Sequence, residues 1–439
     1  MRCDDPYECP DSFPSVVTYT KCNVVEKPDR QGVGRMIRAY KFLMRPTAGQ
    51  QVALGEMLRD HCSLYNGALQ ERRGAYRHPL KTSVTYGDQS AQLKEIRGFD
   101  PERQGRWSFS SQQATLRRLD KAFAAFFRRI RAGETPGYPR FRGVNWFDTV
   151  DFPNDGDGCR WDATPHDPVT RVRFQGIGHV KVNQHRPVAG RVKTVSVKRE
   201  GKRWYVLLTA EQTRPEPLPA TGSVVGIDMG IASFLTTSNG EHVPNPRHGH
   251  KAAAKLEAAQ QALSRFPRVR RDKRTGNHKR AVHKVADLHR KVRRQRLDHA
   301  HKTALDLVRE HDFIAHEDLK IRNMVKTAVP RPDPEQPGSF LPNGASAKSG
   351  LNHAISDAGW GVFLTILHAK AESAGRDVIA VDPRNTSRTC PECGHVSAEN
   401  RPTQEKFHCV SCGHQAHADE VGALNALRAG LVRRDANPA

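Results

Sequence analysis

The chain has 439 residues, 37% of them hydrophobic, which is enough for about one to three domains with substantial cores. Its 70 Lys and Arg against 47 Asp and Glu give a net charge of +23, which indicates a polyanionic partner, with nucleic acid favoured over an anionic membrane surface. A helix that spans a membrane needs about 18 consecutive apolar residues, and no apolar run in this sequence is nearly that long. No signal peptide is recognisable either, so we expect a cytoplasmic protein with no membrane partner.

The first predicted elements are a strand and a helix. Residues 1–35 lack a sustained periodicity and are expected to be a disordered leader. Residues 36–44 alternate as a strand does, and Thr47 with Gln50 predicts a capping box at the start of a helix. The apolar face of that helix consists of Leu58, Cys62, Tyr65 and Leu69.

A second helix is predicted from about Ser111 to the Gly- and Pro-rich segment 133–143. Its apolar stripe consists of Leu116, Leu119, Phe123, Phe126 and Ile130. Its remaining surface is basic and includes Arg117, Arg118, Lys121, Arg128 and Arg129. These cations are candidates for nucleic-acid binding, with ordinary solvation of a charged face as the alternative.

From about residue 170 the pattern becomes that of strands. Residues 171–182 and 191–212 alternate apolar and polar side chains, with a turn at Gly201, which predicts a small antiparallel sheet or barrel. A Pro-rich linker, 213–222, leads to a strand, a tight turn and a second strand at 223–240.

Residues 251–310 are predicted to form two basic helices around a loop. They carry 18 Lys and Arg against 6 Asp and Glu, a surplus that is about half of the net charge. This concentration favours a nucleic-acid channel over a merely solvated surface. The candidate contacts are Arg290, Arg293 and Arg296.

The next segments are predicted to alternate between strand and helix. A buried strand at 312–318 precedes a Pro-, Gly- and Ser-rich loop at 328–350. One long helix at 351–375 and a strand at 377–382 follow. The inward side chains of the helix are expected to be Ile355, Phe363, Ile366 and Leu367.

Four of the nine cysteines have the spacing of a metal ribbon: Cys390, Cys393, Cys409 and Cys412. A glycine follows each pair, so each forms a knuckle, and four thiolates complete a closed, structural Zn²⁺ site. Disulfides or free thiols are the alternatives, which a cytoplasmic location disfavours. The neighbours His395, His408 and His414 are expected to be bystanders. The scattered cysteines, expected to be buried or incidental thiols, are Cys3, Cys9, Cys22, Cys62 and Cys159.

Three carboxylates stand at the ends of predicted elements. Asp228 and Glu317 each end a strand, and Asp419 precedes a short helix. If these elements are neighbours, the acids converge, and Mg²⁺ relieves their repulsion. Two such ions about 4 Å apart can activate a water and stabilise a leaving 3′-oxygen. Each acid alone is weak evidence, because Asp228 could belong to a plain turn, Glu317 to a polar strand end and Asp419 to a helix start favoured by the helix dipole.

In combination, these segments resemble the OrfB/TnpB family of transposon-encoded nucleases, which are related to compact type V CRISPR effectors. The resemblance rests on GIDMG (226–230), HEDLKIRNM (316–324) and the segment 382–427, which holds the cysteines and Asp419. It implies an α/β, RNase H-like RuvC core in three motifs, with the zinc ribbon inserted before the third. It also implies that Asp228, Glu317 and Asp419 are catalytic Mg²⁺ ligands.

One further residue matches the family and two features depart from it. Asn425 stands at a family position, whereas Val421 replaces the Asn that usually follows the third acid by two residues. Residues 1–35 have no counterpart in the family. Neither departure removes a candidate catalytic acid.

The resemblance implies a division of the chain into domains. A β-barrel wedge domain comprises 36–45 and 168–220, and 46–167 is a helical nucleic-acid recognition insertion. The nuclease core comprises 221–385 and 414–430, with the zinc ribbon at 386–413. Residues 431–439 are expected to be a disordered tail.

The function implied by the resemblance is RNA-guided DNA cleavage. A guide RNA from the transposon end and DNA are the implied partners, and no small-molecule substrate is expected. A nucleoid-associated location and a tyrosine transposase encoded nearby are also implied. The alternatives are a nuclease-silent RNA-guided DNA-binding protein, a transposase or its accessory protein, and a ribosome- or RNA-binding zinc-ribbon protein. The last explains the charge and cysteines but not the three acids.

Overall fold

The structure is a computed structural model that describes residues 35–162, 166–269, 273–336 and 338–436. They divide into two compact units, 35–214 and 215–436. This boundary lies in the predicted Pro-rich linker. The predicted leader, apart from Arg35, lies outside the described residues, as do Cys3, Cys9 and Cys22. Within the described ranges, no helix combines the length and apolarity needed to cross a membrane.

The first unit combines three helices with one antiparallel sheet. The helices are α1 (Ala48–Arg77), α2 (Tyr86–Phe99) and α3 (Phe109–Arg131). The strands are β1 (Arg35–Arg45), β2 (Thr149–Phe152), β3 (Cys159–Arg160), β4 (Arg171–Phe174), β5 (Gly178–Asn183), β6 (Arg191–Glu200) and β7 (Arg203–Thr213). The sheet order is β2-β6-β7-β1-β5-β4-β3.

Several features of the first unit are predicted correctly from short stretches of the sequence. The capping box is confirmed, because Gln50 N donates to Thr47 Oγ1 at 3.3 Å and Thr47 N donates to Gln50 Oε1 at 3.1 Å. The predicted apolar face of α1 is fully buried, and so are Leu116 and Leu119 of α3. Ile130, at the other end of the α3 stripe, is 47% exposed, and nearby Phe126 contacts Tyr138 of the following loop.

Three expectations for this unit need correction. Residues 149–160, expected in the helical insertion, instead supply β2 and β3 to the sheet. Helix α2 has no counterpart in the sequence prediction. Among the described residues, no pairing joins β2 to β3, so the expected barrel is a near-barrel sheet whose ring is not closed. These two strands are four and two residues long, which leaves few backbone groups to close the ring.

The second unit is a mixed sheet with helices and a small ribbon. Its helices are α4 (His248–Ser264), α5 (Gly276–Glu310), α6 (Ile321–Met324), α7 (Ala345–Ala358), α8 (Trp360–Ala374) and α9 (Ala418–Ala436). Its strands are β8 (Val224–Asp228), β9 (Ser233–Thr237), β10 (His242–Pro244), β11 (Phe313–Glu317), β12 (Arg331–Pro332), β13 (Phe340–Leu341), β14 (Asp377–Val381), β15 (Lys406–His408) and β16 (Gln415–His417).

Five strands form the main sheet, in the order β10-β9-β8-β11-β14. The first three are antiparallel neighbours, whereas β8, β11 and β14 run parallel. Side chains alternate between the two faces of a strand, so Ile314 joins the core made with α5 and α8, while Phe313 and Ala315 pack with Leu427 of α9. The sheet therefore carries α9 on one face and α5 with α8 on the other.

Two expectations for this unit need correction. The predicted long helix is two helices, because Gly359 between α7 and α8 has φ = +73°, a left-handed conformation that interrupts helical hydrogen bonding. Its predicted inward residues are nevertheless buried. Residues 431–436, expected in a disordered tail, continue α9, where Arg433 donates to Ala380 O at 2.6 Å.

Glycines allow α9 to approach the sheet closely. A Cβ atom at Gly226 would lie 1.9 Å from Ala423 O, and one at Gly430 would lie 2.6 Å from Ala315 Cβ. Such distances are far below van der Waals contact, so no side chain fits at either position. The contact brings the first turn of α9 beside the carboxyl ends of β8 and β11.

Substituting Gly226→Ala is expected to destabilise the second unit by about 3 kcal/mol or more, because α9 must move away from the sheet. The measurement is the shift in thermal unfolding midpoint. Gly361→Ala is the matched control, since its Cβ would lie an ordinary 3.5 Å from Ile321 Cδ1 and Ala favours helix. Equal midpoints for the two variants would contradict the close packing of α9.

Candidate functional site

The three predicted acids meet at one corner of the main sheet. Asp228 and Glu317 end the adjacent parallel strands β8 and β11, whose register pairs Ile227 with His316. Asp419 lies in the first turn of α9. Gly422 follows it by three residues, and a Cβ atom added to Gly422 would lie 3.3 Å from Asp228 Oδ2. Residues three apart share a helix face, so α9 presents Asp419 towards the two strand ends.

Burial and mutual repulsion make this corner unfavourable for unbalanced negative charge. Burial, together with the negative charges of Glu317 and Asp419, raises the pKa of Asp228 to about 7. Burial also raises the pKa of Glu317, against a hydrogen bond from the Thr386 hydroxyl and the charge of Arg401. A divalent cation removes this penalty, so the donor set fits a hard ion such as Mg²⁺.

The three carboxylates do not form one close set of ligand atoms. Within the described ranges, the groups of three or more His, Cys, Asp or Glu side chains whose ligand atoms all lie within 4.8 Å of one another do not include these acids.

Two residues that sequence analysis missed contact these acids. Arg401 Nη2 lies 3.3 Å from Asp419 Oδ1, and the guanidinium also lowers the pKa of Asp228 and Glu317. The Thr386 hydroxyl donates to a Glu317 carboxylate oxygen. Neither has a local sequence signal, because both belong to the connection after β14 and reach the acids only through the fold. A guanidinium at this position can offer planar donors to a phosphate.

Asn425, the additional family match, supports this connection. Its side-chain amide donates to Thr386 O at 2.7 Å and to Thr389 O at 2.8 Å. It therefore ties α9 to the segment that carries the Thr386 hydroxyl. Asn425 is therefore a positioning residue, which acts on the acids through the segment that carries Thr386.

The raised pKa of Asp228 predicts how stability depends on pH when no divalent ion is present. An unfolded Asp has a pKa near 3.9, so the folded chain holds this proton more tightly. The resulting stabilisation is complete below about pH 4 and is lost as the pH rises through about 7, by up to about 4 kcal/mol at about 1.4 kcal/mol per pKa unit. We expect Asp228→Asn to unfold at a higher midpoint than wild type at about pH 8.

The measurement is a series of thermal unfolding curves between about pH 5 and 8 in a chelator. The gap between Asp228→Asn and wild type should widen with rising pH and shrink when Mg²⁺ is added. Asp306→Asn, at an exposed position of α5, is the control and should follow wild type. A gap that is independent of pH would contradict the buried-carboxylate assignment.

The four ribbon cysteines form a second candidate metal centre, as predicted. Their sulfur atoms all lie within 4.8 Å of one another, and the Cys390–Cys412 and Cys393–Cys409 pairs are each 3.6 Å apart. No disulfide joins any described cysteine. This arrangement fits the tetrahedral thiolate shell of Zn²⁺.

The two knuckles repeat one backbone design. Gly394 N donates to Cys390 O and Gly413 N donates to Cys409 O, with both glycines near φ = +76°. Burial acts to raise the pKa of Cys409, but backbone N–H groups of the turn and neighbouring thiols hold that pKa at about 6. A thiolate is the form that binds zinc. The other two described cysteines, Cys62 and Cys159, are buried thiols, as expected.

Some of the basic side chains predicted to bind nucleic acid are exposed, whereas others already bond to groups of the protein. Arg118 donates to Thr149 O at 3.2 Å, and Arg296 pairs with Asp357 at 2.6 Å, so both already hold parts of the protein together. Arg290 pairs with Asp287 in the preceding turn of α5. Arg129 is partly buried. The exposed candidates are Arg117, whose guanidinium lies over the Tyr86 ring, Lys121, Arg128 and Arg293.

Comparison with known proteins adds evidence of kinship. Residues 207–328 match the OrfB_IS605 family, described as "Probable transposase", and residues 360–426 match the "Cas12f1-like, TNB domain". The first range includes Asp228 and Glu317, and the second includes the ribbon and Asp419.

Two relatives are similar over nearly the whole chain. The "Putative RNA-guided DNA endonuclease InsQ" of Escherichia coli (strain K12) is 31% identical over 398 residues, covering 90% of this chain and 93% of the relative. A "Putative RNA-guided DNA endonuclease" of Streptomyces pristinaespiralis is 30% identical over 403 residues, covering 90% of each chain. Among solved structures, the mini-RNA-guided endonuclease CRISPR-Cas_phi3 aligns over 91% of this chain and 93% of that chain, with 11% identity and a TM-score of 0.47.

The site and sheet define a class of α/β protein in which a four-cysteine ribbon is inserted just before the last helix. That helix carries one of three clustered carboxylates, and the first two lie on adjacent parallel strands. The near-complete match to the E. coli relative goes further. The chain belongs to the OrfB/TnpB family.

Proposed function

We propose that this chain is a transposon-associated, RNA-guided DNA endonuclease. Two relatives that match 90% of its length carry the name RNA-guided DNA endonuclease. The observation that carries the proposal for this chain is the meeting of three carboxylates, from β8, β11 and α9, at a buried corner where repulsion demands cations.

In this proposal, the main sheet is an RNase H-like RuvC core, and Asp228, Glu317 and Asp419 bind two Mg²⁺ ions. Bound Mg²⁺ would lower the pKa of the attacking water and neutralise the leaving 3′-oxygen. The protein's own residues prepare the site. The Thr386 hydroxyl orients Glu317, and Asp228 gives up the proton it holds near neutral pH when a cation binds. Zn²⁺ in the ribbon is structural.

The proposed partners are a guide RNA from the transposon end and a DNA target. Pairing between guide and target would read the sequence, while the protein contacts the backbone of the heteroduplex. The basic face of α3 and the basic face of α5 are each proposed to contact nucleic acid, with Arg117, Lys121 and Arg128 on the first and Arg293 on the second exposed for phosphate contacts. The wedge and recognition roles of the first unit, a tyrosine transposase encoded nearby and a nucleoid location remain predictions.

Purification from cells that carry the transposon end tests the proposal. RNA bound to the protein is sequenced, and the complex is then given DNA that matches or mismatches the guide. We expect Mg²⁺-dependent cutting of the matching DNA alone. Binding without cutting would overturn the nuclease in favour of a silent DNA-binding protein. Strand joining in the absence of RNA would instead indicate a transposase.

Arg401→Ala is expected to reduce cleavage by about 10- to 100-fold, because its guanidinium lies beside the acids and can hold the reacting phosphate. Arg401→Lys should recover only part of the rate, since Lys lacks the planar pair of donors. The measurement is single-turnover cleavage by the purified complex. Arg384→Ala, at an exposed position of the same connection, is the control. Equal rates for the Ala variants would contradict this role.

A further inference from the structure

A further group of side chains that could bind a metal ion lies beside the carboxylate corner and shares no residue with it. Ligand atoms of His242, His417 and Glu420 all lie within 4.8 Å of one another. They come from three elements: the start of β10, the end of β16 and the first turn of α9. Neither the nuclease proposal nor the zinc ribbon uses these side chains.

The hydrogen bonds of His242 prepare one nitrogen for a cation. Its Nδ1 lies 3.1 Å from Thr236 Oγ1, while its Nε2 lies 3.3 Å from Glu420 Oε1. When Nδ1–H donates to the Thr236 hydroxyl, Nε2 turns a lone pair towards a carboxylate oxygen. Two acceptors then face each other, and a metal ion between them converts repulsion into coordination. A hydrogen bond on the far ring nitrogen is the usual support of a metal-bound histidine.

His417 completes the set. Its ring meets the ring of His242 edge to face, with centroids 4.8 Å apart. Its Nδ1 accepts from Asp419 N at 3.3 Å, a long hydrogen bond that an ion can replace at little cost. The side chains of His242 and Glu420 are 34% and 38% exposed, so an ion reaches the cluster from solvent.

We propose that His242, His417 and Glu420 bind one divalent transition-metal ion, and that this ion is Zn²⁺. Two imidazoles and one carboxylate suit Zn²⁺, whereas Mg²⁺ prefers an all-oxygen shell. Three protein ligands leave at least one position for water. The site is therefore distinct in its chemistry from both the carboxylate corner and the closed cysteine shell.

The ion would link β10 to the junction between the ribbon and α9. His417 and Glu420 flank Asp419 in the sequence, so a shared ion fixes the backbone on both sides of that acid. Thr236, which supports His242, pairs across the sheet with Asp228. The proposed ion thus acts on the position of Asp419, and its binding does not depend on whether the chain cuts DNA.

Zinc content of the full-length protein tests the proposal without any activity assay. Wild type and variants are dialysed against Zn²⁺ in a large excess of Mg²⁺, which competes with Zn²⁺ for all-oxygen sites such as the carboxylate corner, and the bound zinc is counted by mass spectrometry. We expect two zinc ions per wild-type chain and one fewer in His242→Ala. In Glu420→Gln, we expect the affinity for the second ion to fall about 10-fold or more.

Two controls separate this site from others. His289→Ala removes an exposed histidine on α5 and should keep both ions. Asp228→Asn should also keep both, even if the nuclease proposal fails, so the two proposals are tested separately. His242→Gln, with folding checked by circular dichroism, replaces any Ala variant that does not fold. One zinc in wild type, or two in a folded His242 variant, would overturn the proposed site.

Discussion

Replacing Glu317 with Gln is expected to slow target cleavage by about 10³-fold or more while leaving DNA binding intact. Gln keeps the shape of the side chain and can still contact the Thr386 hydroxyl, but it lacks the charge that would hold the proposed divalent ion at the end of β11. Because the substitution removes stabilisation of charge in the transition state, the rate constant should fall more than the affinity.

The neighbouring position offers a matched control for Glu317→Gln. Asp318 is the next residue, yet its side chain is exposed and pairs with Lys320. Asp318→Asn should therefore cut at close to the wild-type rate. Single-turnover cleavage is measured with saturating Mg²⁺, and binding is measured in chelator with the same guide and target. Cleavage by Glu317→Gln within a few-fold of wild type would remove this residue from the proposed centre.

Replacing Cys409 with Ser is expected to abolish both zinc binding by the ribbon and cleavage. Structural Zn²⁺ supplies about 10–16 kcal/mol to small zinc-dependent folds, far more than the ribbon's own small core of Phe407 and its neighbours can provide. Asp419 follows the ribbon directly, so loss of β15 and β16 removes the support of the first turn of α9. The acid should then no longer face the two strand ends.

His408→Ala is the control for Cys409→Ser, because His408 is adjacent, exposed and expected to be a bystander. Zinc content, thermal unfolding and cleavage are measured on the same preparations. We expect His408→Ala to match wild type in all three. A Cys409→Ser protein that keeps its ribbon zinc, or that cuts at the wild-type rate, would contradict a structural role for this ion.

The sequence predicts local features of this fold best. The knuckles at Cys390 and Cys409, the capping box at Thr47 and the strand ends at Asp228 and Glu317 each depend on a few consecutive residues. The interactions that form each of these features lie within one turn or one strand. The structure accordingly brings the cysteines and the three acids together as expected, while the catalytic role of the acids remains a prediction.

Features made by distant contacts could not be predicted. Strand β2 joins the sheet because it pairs with β6, about 45 residues away, and its four residues carry too little pattern to be recognised alone. Arg401 and His242 meet Asp419 and Glu420 only after the ribbon has folded onto α9. The break at Gly359 was hidden because a single glycine within a helical pattern is usually tolerated.

The dependence of the carboxylate corner on α9 has a consequence for synthesis. A ribosome completes β8 and β11 about 100 residues before it reaches Asp419, so the growing chain carries two of the three acids for several seconds. During that time Gly226 has no helix against it. A nascent chain is therefore expected to be harmless to nearby DNA until its last helix has left the exit tunnel and folded onto the sheet.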